Sequence, residues 1–434
     1  MRIAVVGSGI SGLASAWLLS RQHEVVLFEA NDYLGGHTHT HDIELQGRRH
    51  AVDTGFIVHN PVHYPLLTAF FDALGVASQA TTMGFSVHNE GSGLEYNANS
   101  LGALFCQPRN LLSPRFLGML RDLVRFYRIA PRLLDNDGPG PSLGDYLAEH
   151  RFGTAFRDDH LVPMASALWS APADRILSFP ARYLVRFMAN HHMLQLAGRP
   201  DWRVVQGGSR TYVDALQSRW KVAVRLSTPV RGVHRDDQGV ELVTTDARER
   251  FDQVVLACHS DQALALLADA DDRERDVLGA MRYQPNDVVL HTDARLLPRH
   301  PKAWAAWNVH VPRDPSAHCT VSYCMNLLQR LDAAQPLVVT LNRSDAIDPA
   351  RMLRRMRYHH PEYSHASVAA QARKQEIQGR RHTWFAGAYW GWGFHEDGIR
   401  SAVEVAGAMG ACRPTASPRE TMATPFAACG GVSP

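Results

Sequence analysis

The sequence predicts an α/β fold, and three observations near its N-terminus carry that prediction. Arg2-Ile-Ala-Val-Val6 is a short apolar run rich in β-branched residues and bounded by Gly7, the pattern of a buried parallel strand. Gly7-Ser-Gly9-Ile-Ser-Gly12 follows and runs into Leu13-Ala-Ser-Ala-Trp-Leu-Leu19, small and large apolar residues at helical spacing. A second apolar run, Val25-Val-Leu-Phe28, ends in Glu29, 17 residues after Gly12. Together these read as a βαβ unit with G-x-G-x-x-G at its first turn.

Each part of that unit has a physical role. Gly7 permits the tight turn, Gly9 lets a pyrophosphate approach the backbone, and Gly12 lets helix and strand pack closely. The helix N-terminus, with Ser11 in its first turn, offers N–H groups and a partial positive charge to phosphates. Glu29 sits where a carboxylate accepts hydrogen bonds from a ribose. A dinucleotide site is expected here.

Composition bounds the rest. The 434 residues suffice for two or three domains, and 45% apolar with 20% charged residues excludes a disordered chain or a polytopic membrane protein. Forty-five basic and 43 acidic side chains leave a formal charge of +2, too small a surplus for a nucleic-acid binder. The six cysteines (Cys106, Cys258, Cys319, Cys324, Cys412, Cys429) form no C-x-x-C pair. That argues against a disulfide framework and a zinc–thiolate site. No charged segment with a following apolar one precedes the first strand, so a cytoplasmic protein is expected. His37-Thr-His39-Thr-His41 puts three imidazoles on one face of a strand, but it starts at the phosphate turn and no metal is expected there.

Asn31-Asp-Tyr-Leu-Gly35-Gly36-His37 and Asp53-Thr54-Gly55 follow Glu29. A second glycine pair after the acidic strand is the pattern of FAD enzymes. Here the sequence resembles the flavin amine oxidoreductase superfamily, which includes monoamine oxidases, protoporphyrinogen oxidases and carotenoid desaturases. That family's R-x-G-G-R is altered, with Tyr33 and His37 in the two arginine places. His37 can still donate to a phosphate without being charged at pH 7. Gly207-Gly208 looks like the family's glycine-glycine helix start, Thr228-Pro-Val230 like the strand whose backbone meets the adenine, and Asp252-Gln-Val-Val-Leu-Ala257 like the strand returning to the FAD domain. Thr383-Trp-Phe-Ala-Gly387 and His395-Glu-Asp-Gly398-Ile399-Arg-Ser401-Ala402 look like the strand, turn and helix that face the flavin pyrimidine.

The resemblance implies a Rossmann-like FAD-binding domain of the glutathione-reductase type with an inserted α+β substrate domain. It implies FAD held by Gly7, Gly9, Ser11, Gly12, Glu29, Gly36, His37, Thr54, Gly55, Val230, Gly387, Glu396, Gly398 and Ile399. A helix from Ser401 through Met409 is expected to open at Gly398. Segments 1–90, 204–285 and 378–412 would form the FAD domain, 91–203 and 286–377 the substrate domain, and 413–434 a disordered tail. Asn190-His191, Trp307-Asn308, Tyr323-Cys-Met-Asn326 and the aromatic run from Gly387 to Gly398 narrow the resemblance. They look like a bacterial subgroup encoded beside cyclopropane-fatty-acid-synthase-like methyltransferases, one branch of which is associated with furan fatty acid formation.

Three features bear on the reaction. No second G-x-G-x-x-G exists for a nicotinamide cofactor, so electrons are expected to leave to O2 or a quinone. Many amine oxidases of the superfamily carry a lysine in a strand of the type N-K-V-V-L; Asn286-Asp287-Val-Val-Leu290 has Asp287 in its place, which is expected to put an anion near the flavin and disfavour amine oxidation. Tyr389, Trp390, Trp392 and Phe394 are expected to line a substrate channel, and His395 and Glu396 are nominated as candidates for the base that takes the second proton.

Ser113-Pro114 reads as a helix cap, and Pro131 as its end. Phe116, Leu120, Leu123 and Tyr127 share one face by spacing. Between 109 and 134 there are six arginines and one acid, Asp122, so the segment 113–130 suits either an anionic bilayer at the inner membrane face or a solvated domain surface. The leading reading is desaturation of a lipid acyl chain by hydride transfer to flavin N5. An amine oxidase releasing hydrogen peroxide and an FAD-binding accessory of a lipid methyltransferase are the alternatives.

Overall fold

A computed structural model describes residues 1–411 except 136, 137, 139, 170, 196, 197, 199 and 315–318. The tail expected over 413–434 lies outside the described residues. The elements that build the site run in this order: β1 (Arg2–Val6), α1 (Ile10–Leu19), β2 (Glu24–Phe28), α2 (Pro65–Leu74), β3 (Phe85–Asn89), β4 (Leu94–Asn97), α3 (Leu101–Leu104), α4 (Pro114–Ile129) and α5 (Ala181–Asn190). Then come β5 (Val222–Arg225), β6 (Gln253–Leu256), β7 (Tyr283–His291), β8 (Trp307–Val311), β9 (Thr320–Cys324), β10 (Val338–Leu341), β11 (Met352–Pro361), β12 (Thr383–Phe385) and α6 (His395–Ala408).

A parallel five-stranded sheet of order β5-β2-β1-β6-β12 forms the first layer. Ile3 and Val5 of β1 enter the core built with α1, α2 and α6, whereas Ala4 and Val6 enter a second core on the opposite face. Burial of both faces is why β1 and β2 read as continuous apolar runs rather than alternating ones. The second face is covered by a three-stranded antiparallel sheet spanning residues 230–251. This is the Rossmann-like FAD-domain architecture expected from the βαβ unit.

A mixed seven-stranded sheet, order β11-β7-β10-β9-β8-β3-β4, forms the second body, with α4 and α5 packed in the helical core beside it. β3 pairs in parallel with β8, and β7 begins at Tyr283. Phe85–Asn89 and the start of β7 thus pair within the second sheet, although 1–90 and 204–285 are expected in the FAD domain; a strand's apolar pattern does not reveal which sheet it joins.

Two helix expectations shift. In α4 the Ser113 hydroxyl accepts the Phe116 N–H, but the buried stripe is Phe116, Met119, Asp122 and Phe126, with Leu120, Leu123 and Tyr127 half-buried beside it. The last helix, α6, starts at His395, before Gly398 rather than after it, because the Asp397 carboxylate accepts the N–H groups of Trp392 and Phe394 and closes the first turn.

Candidate active site

The two bodies enclose a cavity of 1170 Å³, larger than the roughly 300–1,000 Å³ of single-ligand sites. Its walls come from the C-terminal edge of the parallel sheet, from β7, β8, β9 and β11, and from α4 and α5. The C-terminal edge of an open α/β sheet is where such folds bind ligands.

At one end the glycines of the first turn leave bare backbone. Gly7 has φ +98°, and a Cβ there would lie 2.9 Å from the Ala257 carbonyl oxygen. A Cβ on Gly9 would meet nothing within 4 Å, so this backbone faces open cavity. Gly36 has φ +58°, and a Cβ there would lie 3.1 Å from the Gly9 Cα. The Glu29 carboxylate ends β2 in the cavity wall, accepting N–H and O–H from Ser8 at 2.9 and 2.6 Å and both N–H groups of Asn31 at 2.9 Å. This cradle at the N-terminus of α1 fits the diphosphate and ribose of FAD. Ser11, His37, Thr54, Gly55, Val230 and Gly387 also line the cavity.

Gly12 does not line it; a Cβ there would strike the Gly7 carbonyl oxygen at 1.9 Å, so its role is packing. Gly398 and Ile399 are likewise withdrawn from the wall. A Cβ on Gly398 would meet Ile10 and Ser11 of α1 at 2.7 and 2.9 Å, and Ile399 is fully buried in the core. These three pack helices onto the sheet.

Sequence reasoning missed the group around His37. His37 packs edge-on to Tyr358, with His259 and His360 at ring distances of 6.0 and 5.7 Å, and His359 beside His259 at 6.3 Å. Burial pushes His37 down to about 4, with neighbouring imidazoles adding to the effect, and pushes His259 and His360 to about 3. The place where the family pattern has an arginine is thus filled by neutral imidazoles drawn from three segments. Of this group the sequence singled out His37 alone, as a phosphate donor; nothing in it joined His259, His359 and His360 to that residue.

At the other end, Tyr389, Trp392, Phe394 and His395 line the cavity. Trp390 does not. Its indole N–H donates to the Phe385 carbonyl at 3.1 Å, and Lys374 sits over its ring. His395 stacks on Phe56 with ring centroids 3.7 Å apart, and its Nε2 lies 3.0 Å from the Thr38 hydroxyl. Burial holds its pKa well below the ordinary histidine value.

Glu396 departs from its nominated role. Its carboxylate turns away from the cavity and accepts the N–H groups of Leu66 and Leu67 at 3.1 and 3.0 Å, capping α2. Burial raises its pKa to about 7, against the pull of those two donors. Asp287 also departs from expectation. It points outward from β7 to Arg355, 2.8 Å away, and its pKa is lowered by that guanidinium. Val288, the next residue on the strand, faces the cavity instead. No anion is brought toward the cofactor by this strand, because alternate residues point to opposite faces.

Comparison with known proteins places this architecture. The model of the flavin containing amine oxidoreductase family matches residues 10–410. The carotenoid phi-ring synthase of Streptomyces griseus is 28% identical over 283 residues, which cover 61% of this chain and 54% of that protein. The chain spans about half the length of the curated relatives it matches. Among solved structures, cyclohexylamine oxidase from Brevibacterium oxydans superposes with a TM-score of 0.67 at 16% identity, covering 94% of this chain and 98% of that one. A fatty acid isomerase from P. acnes that produces CLA gives 0.66 at 18%, with the same coverage. With the matched region spanning nearly every element of both sheets, the chain belongs to the flavin containing amine oxidoreductase family, and its cofactor is FAD.

Proposed function

We propose that this chain is an FAD-dependent oxidoreductase that desaturates an apolar acyl chain, methyl-branched or already unsaturated, passing electrons on to O2 or a quinone. When bound, FAD supplies the acceptor for a hydride. The observation that carries the reading is the character of the cavity beyond the glycine turns. Phe85, Met164, Leu168, Trp169, Phe187 and Trp392 line it, no described lysine does, and its described carboxylates are Glu29 and the exposed Asp201. Glu29 is already committed to Ser8 and Asn31. A cationic amine entering such a site loses hydration without gaining a counter-charge. An alkyl chain gains about 0.8 kcal/mol for each buried CH2. Relatives named for a fatty acid and for amines share the fold alike, so the support for the acyl-chain reading comes from the lining.

We assign the second hydrogen to His395. Its Nε2 is held by Thr38, which leaves Nδ1 as the ring nitrogen without a partner among the described residues. Burial keeps the imidazole neutral, the form that accepts a proton. As one carbon of the acyl chain gives up a hydride, the C–H on its neighbour becomes acidic, and Nδ1 takes that proton while the C=C bond forms. Even a weakly basic imidazole suffices for so acidic a proton.

The test is a single turnover of the FAD-loaded enzyme with branched and monounsaturated acyl lipids, analysed by mass spectrometry. A product lighter by two hydrogens is expected. His395→Ala should slow its formation by about 100-fold or more with unchanged FAD content. Unaltered lipid, with a polyamine oxidised and peroxide released, would overturn the reading.

A further inference from the structure

The helix that walls the cavity, α4, and the segment leading into it carry a different surface on the outer side. Leu101, Leu111, Leu112, Leu117 and Val124 are exposed, Leu112 at 87% and Leu101 at 77%. They are five of the nine exposed large hydrophobic residues among those described, and they fall within 24 residues of chain. Scattered exposed apolar residues need no explanation, but a concentration of this kind does. Phe105, just past α3, packs edge-on against Phe116 of α4 with centroids 5.9 Å apart, which ties the two helices together.

Arginines are interleaved with these residues. Arg109, Arg115, Arg121, Arg128 and Arg132 are all exposed, and on α4 Leu117, Arg121, Val124 and Arg128 recur on one face. The acids that meet the helix lie beneath it. Asp122 is buried and accepts the Gly153 N–H at 2.8 Å, and the buried Asp159 pairs with Arg115 at 2.7 Å. Within 101–135 the exposed acid is Asp135, past the end of α4. The outward surface is therefore both apolar and cationic.

We infer that this face docks on an anionic phospholipid bilayer, with Leu111 and Leu112 entering the acyl boundary and the arginines meeting headgroup phosphates. Mixed leucine and arginine is what an interface of that chemistry demands, because guanidinium groups hold the phosphate level while apolar side chains reach below it. A second copy of this chain would bring the same cationic face against itself, which opposes a two-fold contact. No described helix is long and apolar enough to cross a membrane, so the contact is with the surface. The proposal deepens the acyl-chain reading: Tyr127, on the inner side of α4, lines the cavity, so one helix separates the docked lipid surface from the site.

The test is co-sedimentation of the FAD-loaded protein with phosphatidylcholine vesicles, with and without phosphatidylglycerol, read without turnover. Docking and acyl oxidation can then fail separately. Binding to the anionic vesicles is expected, weakening as salt rises. The double variant Leu111→Ser/Leu112→Ser and the pair Arg121→Glu/Arg128→Glu should each reduce the partition by about tenfold or more. Circular dichroism and bound flavin serve as folding checks on these exposed positions. No binding by the wild type, or equal binding by folded variants, overturns the proposal. So does a dimer, seen without vesicles, that Leu111→Ser/Leu112→Ser dissociates.

Discussion

At Glu396 the carboxylate receives two backbone donors that open α2. Glu396→Ala leaves the buried N–H groups of Leu66 and Leu67 unpaired, a loss of about 1–3 kcal/mol. The thermal midpoint should fall while the rate of flavin reduction stays within about twofold; a collapse of that rate with unchanged stability would return Glu396 to the chemistry. Asp287→Asn makes a complementary case. It breaks an exposed ion pair with Arg355, worth about 0–1 kcal/mol, and should leave both the reduction rate and the substrate preference unchanged. A switch toward amines in that variant would show that Asp287 does act on the site. Neither partner could be inferred from sequence. Leu66 lies 330 residues from Glu396, and the outward direction of Asp287 depends on the strand register, which one step would reverse.

At the scale of elements, β7 supplies a pH dependence. His291 is fully buried, its Nδ1 accepting the Asp293 N–H at 3.0 Å and its Nε2 lying 2.8 Å from the Thr340 hydroxyl. Burial pushes its pKa down to about 4. The unfolded chain takes up this proton from about pH 6.5 downward, the folded chain only near 4. Stability is therefore intact above about pH 6.5 and is withdrawn as pH falls through that window, by a few kcal/mol at most. Urea titrations at pH 7.5 and 5 should show the drop, and His291→Gln should reduce it. Equal loss in wild type and variant would assign the effect elsewhere. The sequence made β1, α1 and β2 legible because strand, turn and helix lie within 29 consecutive residues and each has its own signature. The start of α6 was misread because its cap is made by Asp397 on the loop from Trp392 to Phe394; the spacing of Phe394 and Asp397 was the available signal.

For the whole molecule, the glycine cradle and the aromatic wall belong to different bodies, and the site exists only where they meet. Gly9→Val should fill the open backbone strip, where nothing lies within 4 Å of the added Cβ. It should purify folded and nearly free of flavin; a fully yellow Gly9→Val protein would contradict the cradle. The cofactor was readable from sequence because its site is mostly local. The histidine group of His37, His259, His359 and His360 was not, because three distant segments assemble it. The substrate reading rests on that same assembly, on Phe85, Trp169 and Phe187 converging with Trp392 away from any described lysine. Its most direct test is anaerobic mixing of the FAD-loaded protein with a methyl-branched or monounsaturated acyl lipid and, separately, with a polyamine, following the visible flavin band. Bleaching by the lipid and not by the amine is the predicted result. Bleaching by the amine alone would contradict the account.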